Sequence, residues 1–130
     1  MKKSFLITAI TILITVLCTG CGETYKHISQ DEALKMMKAG GDYVIVDVRT
    51  KEEYDKRHIP GSILLPITDI KEGKLDILPD KNQTILIYCW TGRRAADSAN
   101  ILYKRGYKNV YEFGGLVDWT GDVEGDLSEE

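Results

Sequence analysis

Apolar and polar positions along the chain follow two periods, one typical of strands and one typical of helices. Four short runs of mainly apolar, often β-branched residues predict strands that are covered on both faces. These runs are residues 43–48, 63–65, 85–88 and 110–112. Ser29 and Glu32 have the spacing of a capping box, and a helix is predicted to follow it, with apolar positions at 33, 34, 36 and 37 and an end at Gly40-Gly41. A short acidic helical turn is predicted at 50–56 and a second helix at 95–105. This alternation predicts an α/β fold, a small parallel sheet flanked by helices on both faces.

The N-terminal segment, residues 1–20, predicts a signal peptide that is separate from the fold. Two lysines precede an apolar run, residues 5–17, which is too short to cross a bilayer unaided. The run ends in Cys18-Thr19-Gly20-Cys21, which resembles a bacterial lipobox. That resemblance implies lipidation of Cys21 and attachment to the membrane of the bacterial cell envelope. An ordinary cleaved signal peptide and an uncleaved anchor are the alternatives, and each version places the domain outside the cytoplasm.

The remaining chain has the length of one small domain. We expect a tether at residues 21–28, the domain at 29–120 and a mobile acidic tail at 121–130. The formal net charge of −3 falls to about −5 without the two N-terminal lysines. The chain has no Lys/Arg cluster dense enough for nucleic acid, and its cysteine and histidine spacing does not predict a metal site or cofactor.

Cys89 is the one cysteine left in the predicted mature domain, because Cys18 leaves with the signal peptide and Cys21 carries the lipid. An unpaired cysteine in an extracytoplasmic domain indicates a reactive thiol. Cys89 ends a predicted strand just before a helix, where loop amides and the helix N-terminus stabilise a thiolate or a bound anion. The alternative, a buried structural cysteine, fits a strand interior better than a strand end followed by Gly92.

Four separated motifs resemble those of single-domain rhodaneses, in that family's order and spacing. They are Asp47-Val48-Arg49, His58-Ile59-Pro60-Gly61-Ser62, Cys89-Trp90-Thr91-Gly92-Arg93-Arg94, and Gly114-Gly115 with Trp119. The resemblance covers residues 29 to about 120 and implies a rhodanese-like sulfurtransferase without a cofactor. Cys89 would take a sulfane sulfur from thiosulfate or a persulfide, and pass it to a thiol or cyanide. A protein is a further candidate acceptor.

The residues after the nucleophile are implied to form the substrate-binding loop. Gly92 lets the backbone curl around an anion, and Thr91 can donate a hydroxyl hydrogen bond to it or serve only the turn. Arg93 is the candidate for meeting an anionic donor. Arg94 either faces the anion or braces the loop through a carboxylate, and we favour bracing. Trp90 is expected to line the rim of the pocket.

Three further residues are predicted to support the loop. Asp47 and Arg49 are expected to fix the neighbouring segment, with Glu52 or Glu53 as ionic partners. His58 lies in a turn motif, and because the thiolate already has a stabiliser, a structural role is expected in preference to general-base catalysis.

The sequence also departs from the family pattern. Arg57 stands where the family usually has Gly, and Trp90 and Thr91 fill positions that are often basic in members that use thiosulfate. Arg57 bears on the backbone geometry of its turn, whereas Trp90 and Thr91 weaken the case for thiosulfate and favour an apolar or protein-borne persulfide, with the physiological donor left open. The alternatives are a redox-sensing, sulfide-sensing or binding module and a phosphatase or arsenate reductase. Against the latter, four residues separate Cys89 from Arg94, whereas the phosphatase-type loop has five.

Overall fold

A computed structural model describes residues 24–126 of the chain, so the predicted signal peptide and Cys21 lie outside the described residues. Five parallel strands form one sheet in the order β1-β5-β4-β2-β3. In chain order the elements are β1 (Lys26–His27), α1 (Gln30–Ala39), β2 (Tyr43–Asp47), α2 (Lys51–Lys56), β3 (Ile63–Leu64), α3 (Ile67–Glu72), β4 (Thr84–Cys89), α4 (Arg93–Lys104), β5 (Asn109–Gly115) and a 3-10 turn (Leu116–Asp118).

The two faces of the sheet are covered by different helices. Along β4, Ile85, Ile87 and Cys89 point into a core cluster with residues of α3 and α4. Leu86 and Tyr88 point to the opposite face, into a cluster that includes residues of α1. Alternation along a strand sends successive side chains to opposite faces, and here both faces are apolar. The predicted α/β fold, with helices on both faces of a parallel sheet, is confirmed.

Local capping sets where two of the helices begin. At α1 the Ser29 hydroxyl accepts the Glu32 amide and the Glu32 carboxylate accepts the Ser29 amide, so the predicted capping box is present. Thr50 and Glu53 form a second capping box at α2. The helix α3 begins directly after Pro66 and was not predicted, because six residues are too few to show a clear helical period.

Two predicted boundaries are wrong. Lys26–His27 lies within the predicted tether, yet it pairs with β5, because a two-residue edge strand carries no recognisable hydrophobic pattern. The predicted mobile tail is docked through residue 126. Glu124 pairs antiparallel with His58, and the Asp126 amide donates to the Asp55 carbonyl at 2.9 Å, so the backbone is held although its acidic residues are exposed.

Within residues 24–126, no helix combines the length and the apolar character needed to span a membrane.

Candidate active site

Cys89 is the last residue of β4 and lies at the carboxyl end of the sheet, where parallel α/β folds gather their ligands. Its side chain is buried, with 1% of its surface exposed, and the Gly92 amide donates to Sγ at 3.0 Å. The first amide bonded within α4 is that of Ala96, which donates to the Gly92 carbonyl at 2.9 Å. The preceding amides of the first turn have no helical acceptor, so they are available to an anion at this end of the helix.

Gly92 closes the loop in a conformation that a side chain would disturb. Its φ is 104°, in the region that favours glycine. A Cβ there would also lie 3.1 Å from the Gly114 Cα. The predicted role of Gly92, allowing the backbone to curl beside the sulfur, therefore has a structural basis in both its dihedral angle and its packing.

The end of β5 forms the floor beneath this loop. The register between β4 and β5 shifts, from Ile87 opposite Glu112 to Cys89 opposite Gly115, so β5 carries a bulge. Gly115 packs so closely on the loop that a Cβ would lie 2.0 Å from the Trp90 carbonyl oxygen. The Val117 amide donates to that same oxygen at 3.1 Å. The floor and the loop therefore pack directly against each other through backbone atoms.

Polar side chains from the N-terminal part of the domain hold this floor in place. Gln30, the first residue of α1, donates from Nε2 to the Gly115 carbonyl at 2.8 Å. The buried Glu112 carboxylate accepts the Gly114 amide at 3.0 Å and is hydrogen-bonded to His27. Sequence reasoning missed Gln30 and Glu112, because neither belongs to a motif. The partner of Gln30 is a backbone carbonyl far away in the chain, and Glu112 bonds the nearby Gly114 amide and the distant His27 ring.

Arg94 braces the loop, the favoured of its two predicted roles. Its guanidinium donates to both carboxylate oxygens of Glu53 on α2, at 2.8 and 2.9 Å. Hydrogen bonding from Arg94 is the main cause that lowers the pKa of Glu53 to about 2, and hydrogen bonding from Glu53 in turn raises the pKa of Arg94. The pair joins the first turn of α4 to α2, on the neighbouring side of the site.

Asp47 and Arg49 form a buried ion pair with each other, so the prediction that Glu52 or Glu53 would be the ionic partner is wrong. The Arg49 side chain donates to Asp47 at 2.8 to 3.2 Å, and its Nη2 also donates to the Arg57 carbonyl. In extended backbone, residues two apart share a face, so the Asp47 carboxylate is within reach. Through the bond to the Arg57 carbonyl, the pair ties the end of β2 to the segment after α2.

Tyr88 and His58 organise the turn at residues 58–62. The buried Tyr88 hydroxyl accepts the Ile59 amide at 3.0 Å and lies 3.1 Å from the Ser62 hydroxyl, and burial is the main cause that raises its pKa. The His58 ring stacks on Tyr54 at 3.8 Å, with Nε2 3.2 Å from a Glu124 carboxylate oxygen. Both contacts of the His58 ring are with residues outside the Cys89 loop.

The exposed rim of the loop consists of Trp90, Thr91 and Arg93. Trp90 is 40% exposed, which is high for a large apolar side chain. Among residues 24–126, no group of three or more potential metal ligands comes together. The site thus combines a buried thiol, the Gly92 amide that donates to it, the N-terminus of α4, and a rim with both an apolar and a cationic side chain.

These features define a member of a known family: the chain belongs to the Rhodanese-like domain family, whose pattern matches residues 29–122. Thiosulfate sulfurtransferase PspE of Escherichia coli is 40% identical over 73 residues, which cover 56% of this chain and 70% of that protein. Thiosulfate sulfurtransferase GlpE of Coxiella burnetii is 34% identical over 96 residues, covering 73% and 87% of the two chains.

Comparison with a solved structure also identifies the fold as rhodanese-like. The crystal structure of a Rhodanese-like domain protein from Staphylococcus aureus superimposes with a TM-score of 0.66 at 32% identity, covering 77% of this chain and 97% of that one. The predicted family resemblance is confirmed, and the relatives named as thiosulfate sulfurtransferases support a rhodanese-type sulfurtransferase.

Proposed function

We propose that this protein is an extracytoplasmic sulfurtransferase that moves a sulfane sulfur through a persulfide on Cys89. The observation that carries the proposal is the hydrogen bond from the Gly92 amide to Sγ, in a loop that connects β4 to the N-terminus of α4. An amide donor and a helix N-terminus together stabilise negative charge on sulfur without a proton acceptor nearby. The same groups suit the thiolate before transfer and the persulfide after it.

The proposed reaction has two displacements. With thiosulfate, the Cys89 thiolate attacks the sulfane sulfur, a sulfur–sulfur bond forms, and sulfite leaves with the electron pair of the broken bond. With cyanide, carbon attacks the outer sulfur, thiocyanate forms, and the thiolate is restored with the electron pair of the broken sulfur–sulfur bond. A thiol acceptor, after loss of its proton, follows the same path and yields a persulfide.

The rim residues bear on which donor is used. Arg93 is exposed, forms no ion pair among the described residues, and supplies a positive charge for an anionic donor. Trp90 supplies an apolar surface directly beside the nucleophile, which suits an organic or protein-borne persulfide. We favour a persulfide as the main donor and thiosulfate as a second one.

The location is part of the same proposal. The lipobox-like sequence at residues 18–21 supports lipidation of Cys21 and attachment to the cell envelope membrane. Metabolic labelling with a fatty acid should tag the wild type and leave Cys21→Ser unlabelled, and labelling of both proteins would contradict the anchor.

The sulfur-transfer test is an intact-mass measurement on the purified protein. Incubation with thiosulfate or an organic persulfide should add one sulfur atom, about 32 Da, at Cys89, and cyanide should remove it. Cys89→Ser should stay unmodified under the same conditions. An adduct on Cys89→Ser, or hydrolysis of an aryl phosphate that depends on Cys89, would contradict the proposal.

A further inference from the structure

Two segments of the chain, one before and one after the end of β5, differ in charge. The stretch from residue 98 to residue 111 contains Lys104, Arg105 and Lys108 and no acidic residue. After β5, by contrast, residues 118–126 contain four acidic residues and no basic one. That acidic segment pairs with the backbone of His58, and its Asp122 shares a groove with Met37 and Lys38 in the second half of α1.

The basic residues meet at the amino end of the sheet. The Lys108 amide donates to the Lys81 carbonyl at 3.0 Å, and the Lys81 ammonium donates to the Arg105 carbonyl at 2.8 Å. Tyr103, Lys104 and Lys108 are among the residues that line a shallow groove of about 440 Å³ at this end. We call Lys81, Tyr103, Lys104 and Lys108 the basic face.

The exposed cations of the basic face lack acidic partners in the fold. Lys104 and Lys108 are both exposed, and neither forms an ion pair within residues 24–126. In a chain whose net charge is negative, such a group of unpaired cations forms a local site for an anionic surface.

The chain leaves the domain toward Cys21 at this same end. Since β1 runs parallel to β5, with Lys26 opposite Tyr111, the residues before Lys26 lead toward the amino end of the sheet. Tyr25 packs on the core cluster that contains Tyr107 and Val110. Two residues lie between Cys21 and Thr24, so the Cα atoms of this pair are at most about 11 Å apart. A lipid on Cys21 would therefore hold the amino end of the sheet close to the bilayer.

We propose that the basic face docks on anionic lipid headgroups and orients the anchored domain, an inference that rests on the proposed lipidation of Cys21. Each basic residue near an anionic membrane strengthens binding about fivefold, and the half-buried phenol of Tyr103 suits the headgroup region. Cys89 then lies the length of β4 away, roughly 20 Å, and faces the aqueous compartment.

The experiment uses the mature lipidated protein, reconstituted in phosphatidylcholine vesicles that contain or lack phosphatidylglycerol. An amine-reactive mass tag reports the accessibility of Lys104 and Lys108, with Lys51 and Lys56 on α2 as matched control lysines near the carboxyl end. We expect labelling of the basic face to slow several-fold on anionic vesicles only, labelling of the controls to stay unchanged, and the protection to disappear at high salt.

The outcomes separate docking from anchoring. If the protein does not float with vesicles of either composition, the lipid anchor is wrong and the orientation falls with it. If it floats but the basic face is labelled as fast as the controls on anionic vesicles, the docking face alone is overturned. Equal protection by soluble polyglutamate would assign the face to an acidic protein and overturn the lipid assignment. Replacing Lys104 and Lys108 together by Glu should remove the protection of Lys81, whereas replacing Lys51 and Lys56 should not.

Discussion

Replacing Gly115 by Ala should disable the active-site loop while leaving the chemistry of its residues intact. Gly115 has a φ of −154°, which any residue adopts, so the backbone itself tolerates the change. The obstacle is contact, since the new Cβ would lie 2.0 Å from the Trp90 carbonyl oxygen and 2.6 Å from the Thr91 amide nitrogen. Both neighbours are backbone atoms, so no side-chain rotation relieves the overlap.

The size of the effect follows from that distance. An ordinary carbon–oxygen contact is about 3.3 Å or more, so the loop and floor must separate by roughly 1.3 Å. That shift breaks the hydrogen bond from the Val117 amide to the Trp90 carbonyl, now 3.1 Å, at a cost of about 1 kcal/mol. Overpacking adds about 1–3 kcal/mol. A displacement of about 1 Å near the nucleophile should lower kcat/KM for sulfur transfer about a hundredfold.

The assay pairs urea unfolding with sulfur transfer, measured at a temperature where each variant is folded. Gly40→Ala is the matched control, because Gly40 has a φ of 72° and open space around its would-be Cβ. It should lose about 1–3 kcal/mol of stability through backbone strain and keep its activity. A wild-type kcat/KM in Gly115→Ala, or an equal loss of kcat/KM in Gly40→Ala, would refute the claim that close packing of Gly115 on the loop is needed for activity.

Three further predictions concern the loop and its brace. Glu53→Gln should lower the free energy of unfolding by about 1 kcal/mol, after allowance for solvent screening of this half-exposed pair. The pKa of Glu53 is lowered from 4.5 to about 2, so the stability that the wild type gains over the variant should be full above pH 4.5 and fade as the pH falls toward 2. Urea unfolding across this pH range measures the difference. Trp90→Ala should weaken transfer from bulky apolar persulfides several-fold more than from thiosulfate in steady-state assays, and equal losses would exclude the apolar rim. Inserting one residue between Cys89 and Arg94 should reduce sulfur transfer and admit aryl phosphate hydrolysis, which the wild type should lack.

Sequence patterns predicted the parts of this fold whose signals are local. The strand leading to Cys89 and the capping box at Ser29 depend on neighbouring residues, so composition and spacing revealed them. The motif resemblance alone predicted that the Cys89 loop and the turn at His58 belong to one fold.

The remaining features depend on distant pairing, which a single sequence does not display. The docking of Glu124 on His58 is a backbone contact, and the acidic composition of the tail suggested a solvated end instead. Several acidic residues near Arg49 in the chain could have been its ionic partner. The fold selects Asp47, whose carboxylate is buried beside the Arg49 side chain. Gln30 could not be assigned because its partner is the Gly115 carbonyl, a group that every residue possesses.

The order of strands has a consequence for biogenesis. β5 is the last strand to be synthesised, yet it lies inside the sheet between β1 and β4. Until it inserts, the first strand has no neighbour and the loop after Cys89 has no floor. The ribosome delivers the chain from its N-terminus, so the thiol emerges before the backbone that shields it. Chains truncated before Gly115 are therefore expected to expose the Cys89 thiol and to lack sulfur-transfer activity until the domain is complete.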